Sequence, residues 1–245
     1  MFCIIQKNII RPSSILTRHM HNQYVLMQEN NGTREITLNH EKTKNSLSLD
    51  MMNSLIEALN LNKGDTSLRA IVLSAKGNVF SAGHNLKELV NGFAAAAGCQ
   101  LVATCDIIIC SDKSKFSTPG ANFGIFCSTP GIAIGRSVPK SRAMYMLLTG
   151  EPLSAQEAYE SGLVTKVVPA EKLDSEVNET IEQIKRKSRS VISLGKEFFY
   201  KQIGLNVLDA YRLGEEIMVK NINSLDGQEG INSFIEKRKA VWNHK

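Results

Sequence analysis

The feature that most constrains the fold is residues 68–74, LRAIVLS, a largely apolar run without alternation. Such runs are typical of strands buried on both faces, as in parallel sheets covered by helices. An amphipathic helix pattern over residues 49–59 precedes this run, and a second buried strand is predicted at residues 107–110. The alternation of helix and strand therefore favours an α/β layered domain with parallel strand pairing.

Local signals define the neighbouring elements. Asn31-Gly32 between alternating runs at residues 24–27 and 35–38 predicts a β-hairpin. Ser48 has the residue type and position to cap the helix that follows it. From residue 140 onward the patterns are mostly helical. The predicted elements there are helices over 141–148, 154–160, 173–187, 207–222 and 230–239, with a short strand over 163–168.

Two loops of small residues form the candidate functional site. Residues 80–86, FSAGHNL, follow the buried strand, and residues 91–100, NGFAAAAGCQ, lead into a helix. Small side chains allow a ligand to approach the backbone, and free N–H groups at a helix start attract negative charge. Two such donors on one oxygen make an oxyanion hole. Tight turns packed for steric reasons would produce the same pattern, so spacing alone leaves both interpretations open.

Five ordered segments resemble the enoyl-CoA hydratase/isomerase (crotonase) superfamily, and the resemblance runs from about Tyr24 to the C-terminus. They are SAGHNLKEL, NGFAAAAGCQLVATCDI, FSTPGANFGIF, LLTGEPLSAQEAYESGLVTKVVP and EGINSFIEKRKAVW. The resemblance implies an α/β, ClpP/crotonase-like fold of repeated ββα units with a C-terminal helical region. It also implies a homotrimer or hexamer, acyl-CoA thioesters as ligands, and no separate cofactor, because coenzyme A is part of the substrate.

The resemblance assigns roles to residues of both loops. The backbone N–H groups of His84 and Ala97 match the family's oxyanion hole, where they would hold the thioester oxygen as it becomes enolate-like. A basic side chain such as Lys44 would face the phosphates of coenzyme A. The full set of residues that match CoA-lining positions is Lys44, Asn45, Ser81, Ala82, Gly83, Asn85, Leu86 and Gly98.

The catalytic carboxylates of the family are absent. Hydratases of this family place two glutamates over the substrate double bond, and these positions match Gln100 and Gly120 here. Glutamine orients water but exchanges no proton at neutral pH, and glycine has no side chain, so hydration by the two-carboxylate route is not expected. The ring of His84 is a weaker candidate for a general base. Ser128-Thr129 has no identifiable acid–His pair and is not expected to be a nucleophile.

Compared with the family it resembles, the chain is expected to be a splice or gene-model variant that lacks an internal segment after Val90. Only four residues separate Leu86 from Asn91, whereas a parallel crossover needs a dozen or more residues. The family has roughly thirty more residues here, for a helix and the strand before the second oxyanion donor. We therefore expect a gap in the central sheet and displacement of the two oxyanion loops.

The front of the chain has the character of a mitochondrial transit peptide. Residues 1–28 contain Lys7, Arg11 and Arg18 but no acid, with isoleucines at roughly helical spacing. We expect a leader over about residues 1–20, cleaved near Arg18, and a mitochondrial matrix protein; a disordered basic tail is the alternative. Residues 21–245 would form the crotonase-like domain, with a core to about residue 139 and a helical region over 140–245.

Composition excludes several classes of protein. The net charge of +5 falls to about +2 without the three leader cations, which gives no case for nucleic-acid binding. Polar residues interrupt the uncharged stretch at 89–105, so no membrane span is expected. Five cysteines fit neither a disulfide framework nor a zinc pattern, and Cys99, Cys105 and Cys110 are expected to be buried apolar thiols.

Two functions remain open. One is an enzyme of acyl-CoA metabolism that uses an oxyanion hole without the glutamate pair. The other is a catalytically silent crotonase-fold protein with a regulatory or acyl-CoA-binding role in lipid metabolism. The absent glutamates favour the silent protein, whereas the retained small-residue loops favour ligand binding in both cases.

Overall fold

The computed structural model describes the backbone of residues 2–5, 19–21, 23–83 and 97–244, and the side chains of residues 23–83 and 97–244. The chain divides into two compact units, Met1–Thr180 and Ile181–Lys245. The first unit holds the β-sheet, and the second is helical.

The first unit is built on a sheet whose central strands are parallel. Its described strands are β1 (Phe2–Ile5), β2 (His19–His21), β3 (Val25–Asn30), β4 (Thr33–Leu38), β5 (Ala70–Ala75), β6 (Ile107–Ser111), β7 (Lys115–Phe116), β8 (Leu153–Ser154) and β9 (Lys166–Val168). Seven of them form one sheet in the order β2-β3-β4-β5-β1-β6-β9. The β4–β5, β5–β1, β1–β6 and β6–β9 pairs are parallel, as the buried apolar strands predict.

Helices flank these strands and make up the second unit. The described α-helices are α1 (Leu49–Asn60), α2 (Ala97–Ala103), α3 (Ser128–Ser137), α4 (Lys140–Thr149), α5 (Ala155–Glu160), α6 (Leu173–Lys185), α7 (Arg189–Gln202), α8 (Val207–Ile222) and α9 (Leu225–Ile235). The alternation of strands and helices in the first unit agrees with the α/β architecture predicted from the sequence. The last helix begins earlier than expected because Ser224, and not a residue near 230, accepts the capping hydrogen bond.

Local sequence signals account for the first hairpin and helix. The hairpin is confirmed: β3 and β4 are antiparallel, and Asn31 and Gly32 have φ of 47° and 74°, as a two-residue turn requires. Ser48 caps α1 by accepting a hydrogen bond from the backbone N–H of Met51. The side chain of Arg34, only 1% exposed, donates to the carbonyl oxygen of Ala58 near the C-terminus of α1. The Arg34 contact holds α1 against the hairpin strands of the sheet.

The central sheet has a strand where a gap was expected. Backbone residues of Phe2–Ile5 form β1, which pairs with β5 on one side and β6 on the other. The helical spacing at the front of the chain is thus a wrong guide for residues 2–5 and 19–21, which are strands. Short runs of β-branched residues fit both strand and helix patterns, and here pairing with distant strands determines that they are strands. The remaining leader residues, 6–18, lie outside the described residues.

Candidate functional site

The loop that follows β5 is tied to the segment between the hairpin and α1. The backbone N–H of Ala82 donates to the carbonyl oxygen of Lys44 at 3.0 Å, and that of Leu47 donates to the carbonyl oxygen of Gly83 at 2.7 Å. Lys44 is exposed and its backbone is left-handed, with φ of 54°. The structure thus brings together two of the segments predicted to line the CoA moiety.

Asn45 organises this loop from inside. It is completely buried, and its side-chain nitrogen donates to the carbonyl oxygens of Lys76 and Val79, both at 2.8 Å. Its side-chain oxygen accepts a hydrogen bond from the backbone N–H of His40 at 2.8 Å. With all three contacts made to the backbone, the Asn45 side chain positions the loop and is not presented to a ligand.

The two small-residue loops meet at Ser81 and Gly98. A Cβ atom on Gly98 would lie 2.7 Å from the carbonyl oxygen of Ser81, closer than real Cβ contacts allow. Only glycine permits this approach, so the residue type at position 98 sets the spacing between the loops. Residues 84–96, which form most of both loops, lie outside the described residues, so the displacement expected from the shortened chain stays a prediction.

Ala97 lies at the start of α2, as described, and is 4% exposed. Backbone N–H groups in the first turn of a helix have no partner within the helix, which suits them to bind a negatively charged oxygen. The other predicted oxyanion donor, His84, lies outside the described residues, as do Asn85 and Leu86. The oxyanion hole consequently remains a prediction.

The positions assigned to the family's glutamates differ in their surroundings. Gln100 is partly exposed on α2, whereas Gly120 is buried in a short 3-10 helix, Pro119–Phe123. A Cβ atom on Gly120 would lie 2.6 Å from the sulfur of Cys127 and closer still to the carbonyl oxygen of Ile125. The space that a side chain at position 120 would need is already filled.

The thiol against this position, that of Cys127, is one of several buried thiols. Cys99 is 8% exposed and Cys127 is completely buried. Burial, and to a smaller extent the neighbouring Cys127, raises the pKa of the Cys99 thiol to about 12, so it stays protonated at physiological pH. Cys105 and Cys110 are buried as well, which confirms the apolar thiols predicted for all three. Sequence reasoning missed Cys127, since no local pattern indicates which residue contacts Gly120.

Thr118 is a second residue that sequence reasoning missed. It is completely buried two positions before Gly120, and its hydroxyl has no hydrogen-bond partner among the described residues. Buried hydroxyl groups normally have a hydrogen-bond partner, so Thr118 is an exception among the described residues. The sequence shows only that Thr118 precedes Pro119, and this does not indicate that its hydroxyl is buried.

Other reactive constellations do not assemble. Ser128 is exposed and donates to the carbonyl oxygen of Phe126, and no described base forms a hydrogen bond with it. Ser188, Asp226 and His244 have the residue types of a hydrolytic triad, but Asp226 accepts from the backbone N–H of His244, not from its ring. The ring nitrogen Nδ1 of His244 accepts from the backbone N–H of Arg189. This cluster therefore anchors the end of the chain and activates no nucleophile.

The described ranges, residues 23–83 and 97–244, contain neither a metal site nor a membrane-spanning helix. Within them, no three His, Cys, Asp or Glu side chains are grouped so as to hold a metal ion. No described helix is both long enough and apolar enough to cross a bilayer.

Comparison with solved structures defines the fold. An enoyl-CoA hydratase from Mycobacterium smegmatis superposes with a TM-score of 0.86 and 34% sequence identity, covering 90% of this chain and 99% of that one. The family model for enoyl-CoA hydratase/isomerase matches residues 28–91 and 88–245. The chain therefore belongs to the enoyl-CoA hydratase/isomerase family, with the crotonase fold.

Within the family, the chain is similar to proteins called enoyl-CoA hydratase domain-containing protein 3. The mitochondrial protein of that name from Xenopus laevis is 46% identical over 272 aligned positions, covering 98% of this chain and 92% of the relative. The human crystal structure has a TM-score of 0.85 and 44% identity, covering 89% of this chain and 99% of that one. The mitochondrial names of these relatives confirm the mitochondrial localisation, whereas the matrix location and the cleaved leader stay predictions.

The comparisons also confirm the missing internal segment. The family model matches in two stretches that meet at residues 88–91, next to Val90. Because 272 aligned positions exceed the 245 residues of this chain, at least 27 positions of the frog alignment are gaps here.

Proposed function

We propose that the chain binds acyl-CoA thioesters in mitochondrial fatty-acid metabolism and does not hydrate them by the two-carboxylate route. The observation that carries this proposal is the close approach of Ser81 to Gly98, which holds the two loops of the predicted site together. The backbone N–H groups of Ala97 and His84 would then polarise the thioester oxygen. No separate cofactor is needed, since coenzyme A enters with the substrate.

Charge and backbone geometry support a CoA site on this loop. Lys44 is exposed, and its carbonyl oxygen accepts a hydrogen bond from the N–H of Ala82. Its ammonium group can therefore reach a phosphate of a CoA moiety bound along this loop. Asn45 keeps the loop in one conformation through three hydrogen bonds, which lowers the entropy cost of binding. We place the Ser81–Ala82–Gly83 backbone and Lys44 along the CoA moiety.

The absence of hydration is supported by the packing at Gly120. Cys127 and Ile125 fill the space that a second carboxylate would occupy, and Gln100 replaces the first. This packing favours the catalytically silent, regulatory alternative over a reaction that needs two proton-transferring groups. A thioester reaction that needs only oxyanion stabilisation stays compatible with the same site.

The test compares binding with turnover. Calorimetry with crotonyl-CoA measures the affinity, and loss of absorbance of its double bond measures hydration. We expect binding without hydration, and the same affinity for Gln100→Ala. Hydration of crotonyl-CoA that is abolished in Gln100→Ala would overturn the proposal that the protein is catalytically silent. Failure to bind any CoA ester would overturn the proposed binding site.

We further propose that the protein assembles as a homotrimer or as paired trimers in the mitochondrial matrix. Large apolar side chains of the second unit are exposed: Val207 73%, Tyr211 71%, Phe234 86%, Ile235 70% and Val241 77%. Exposed apolar groups on this scale are typical of association surfaces. Light scattering should give three or six times the monomer mass, and Phe234→Glu should lower it; a monomeric parent chain would contradict the assembly.

A further inference from the structure

The strand β1 joins two parts of the sheet that have no other described contact between strands. Its backbone pairs in parallel with Val72 and Leu73 of β5 and with residues 107–110 of β6. Without β1 the sheet order would break into β2-β3-β4-β5 and β6-β9. The four residues of β1 therefore occupy the central position of the parallel sheet.

The neighbours of β1 have the properties of interior strands. Leu73 of β5 and Cys110 of β6 are completely buried, and Ile109 is 1% exposed. Neither strand carries the charge, proline or bulge with which proteins protect sheet edges. Buried backbone N–H and C=O groups without partners are rare and costly, so both strands need a strand between them.

The sequence position of the missing segment explains why this place needed filling. The family model breaks at residues 88–91, which lie between β5 and β6 along the chain. Consecutive parallel strands joined by crossovers are usually neighbours in the sheet. A strand supplied by the missing segment would thus lie between β5 and β6, the place that β1 takes.

We propose that residues 2–5 replace this internal strand, so that the chain that keeps its N-terminal segment is the folded form. The same residues lie in the leader that would be removed on cleavage near Arg18. Cleavage and sheet completion exclude each other, because a removed segment cannot pair with β5 and β6.

A cross-link tests the position of the strand directly. In β1, Cys3 is paired with Ile108 of β6, and paired residues of neighbouring strands lie within disulfide range. In the full chain, Ile108→Cys should form a disulfide with Cys3 under mild oxidation, mapped by mass spectrometry. Ile109→Cys is the matched control, because successive residues of a strand face opposite sides. At least tenfold more cross-link in the first variant supports the proposal, and equal or absent cross-linking overturns it.

Hydrogen exchange tests the consequence. We expect Ile4→Pro to accelerate amide exchange in residues 70–75 and 107–111 at least tenfold, since proline removes a donor and disrupts the ladder. Ile4→Val, which keeps the backbone N–H at the same position, is the matched control and should leave exchange unchanged. If Ile4→Pro does not fold and the control variant does, this result also supports the proposal. A mitochondrial protein that starts after residue 18 with these amides still protected would overturn it.

Discussion

The sulfur of Cys127 lies 2.6 Å from the position that a Cβ atom on Gly120 would take. The packing around Gly120 therefore leaves no room for a glutamate side chain at this position. In the turn around Gly120, the backbone N–H of Ile125 donates to the carbonyl oxygen of Gly120 at 3.0 Å. This hydrogen bond brings Ile125 and Cys127 against the glycine. A side chain at position 120 would need this turn to open.

Restoring both glutamates should therefore not restore hydration. The double variant Gln100→Glu with Gly120→Glu is expected to lose about 1–3 kcal/mol of stability, as overpacked sites do. Crotonyl-CoA hydration and urea denaturation measure the two effects, and Gln100→Glu alone serves as the control that keeps the turn intact. A double variant that hydrates crotonyl-CoA well above this control would show that the turn can open.

The approach of Ser81 to Gly98 predicts a second effect. Gly98→Ala places a methyl group against the Ser81 carbonyl oxygen, so we expect the loops to separate and CoA-ester affinity to fall about tenfold or more. Gly135→Ala is the matched control, because a Cβ atom at this exposed position of α3 meets nothing within 4 Å. The control should gain about 0.5–1 kcal/mol. Calorimetry and thermal denaturation of both variants decide; equal affinities would contradict the prediction.

Asn45 is expected to contribute to stability through its three hydrogen bonds. Asn45→Ala should cost about 3 kcal/mol or more, since it leaves two carbonyl oxygens and one N–H without partners. Asn62→Ala controls for backbone strain, because Asn62 is exposed and has a similar left-handed φ of 47°. That change should cost about 1 kcal/mol. Equal losses in urea denaturation would show that strain, and not the hydrogen bonds, accounts for the effect.

The buried carboxylate of Asp226 predicts a pH dependence in the second unit. Burial would raise its pKa, but hydrogen bonds from Ser188, from the backbone N–H groups of Asn243 and His244, and from Ser190 outweigh burial and lower it. A lowered pKa in the folded state stabilises the protein above the unfolded value of about 3.9. This contribution is lost as pH falls through the folded pKa.

Asp226→Asn should accordingly cost about 2–3 kcal/mol at pH 7, and the difference from the parent chain should shrink below about pH 4. Urea denaturation at pH 7 and pH 3 measures it. Asp209→Asn, a change at a half-exposed aspartate in the first turn of α8, should have a small effect at both values. A difference that grows at low pH would contradict the lowered pKa.

Local signals in the sequence predicted the elements that local contacts determine. Asn31-Gly32 predicted the hairpin and Ser48 the start of α1, because turn and cap chemistry involve only neighbouring residues. Helix α3 was missed, since its sequence STPGIAIGRS contains two glycines and a proline and lacks a clear apolar face. Its burial of Ile134 against the core, a tertiary contact, outweighs these propensities.

The candidate site could be predicted in part for the same reason. The small residues around Gly83 and Gly98 indicate close backbone approach, but which atoms approach them depends on pairing between distant segments. Cys127 lies seven positions from Gly120, and nothing in that spacing indicates that its sulfur faces the glycine. The placement of β1 between β5 and β6 depends on residues about 70 and 105 positions away, beyond any local pattern.

The buried Arg34 also determines which changes of chain length the first unit can tolerate. Arg34 holds the end of α1, and Gly32 accepts hydrogen bonds from the N–H groups of Arg69 and Ala70, so β5 starts at a set point beside the hairpin. Insertions between residues 61 and 67 would lengthen a surface connection that begins and ends at these anchors. One residue added between Ala70 and Gly83 would instead shift the site loop past Lys44 and break its hydrogen bonds. The position of the hairpin thus determines where the loop of the candidate site lies relative to Lys44.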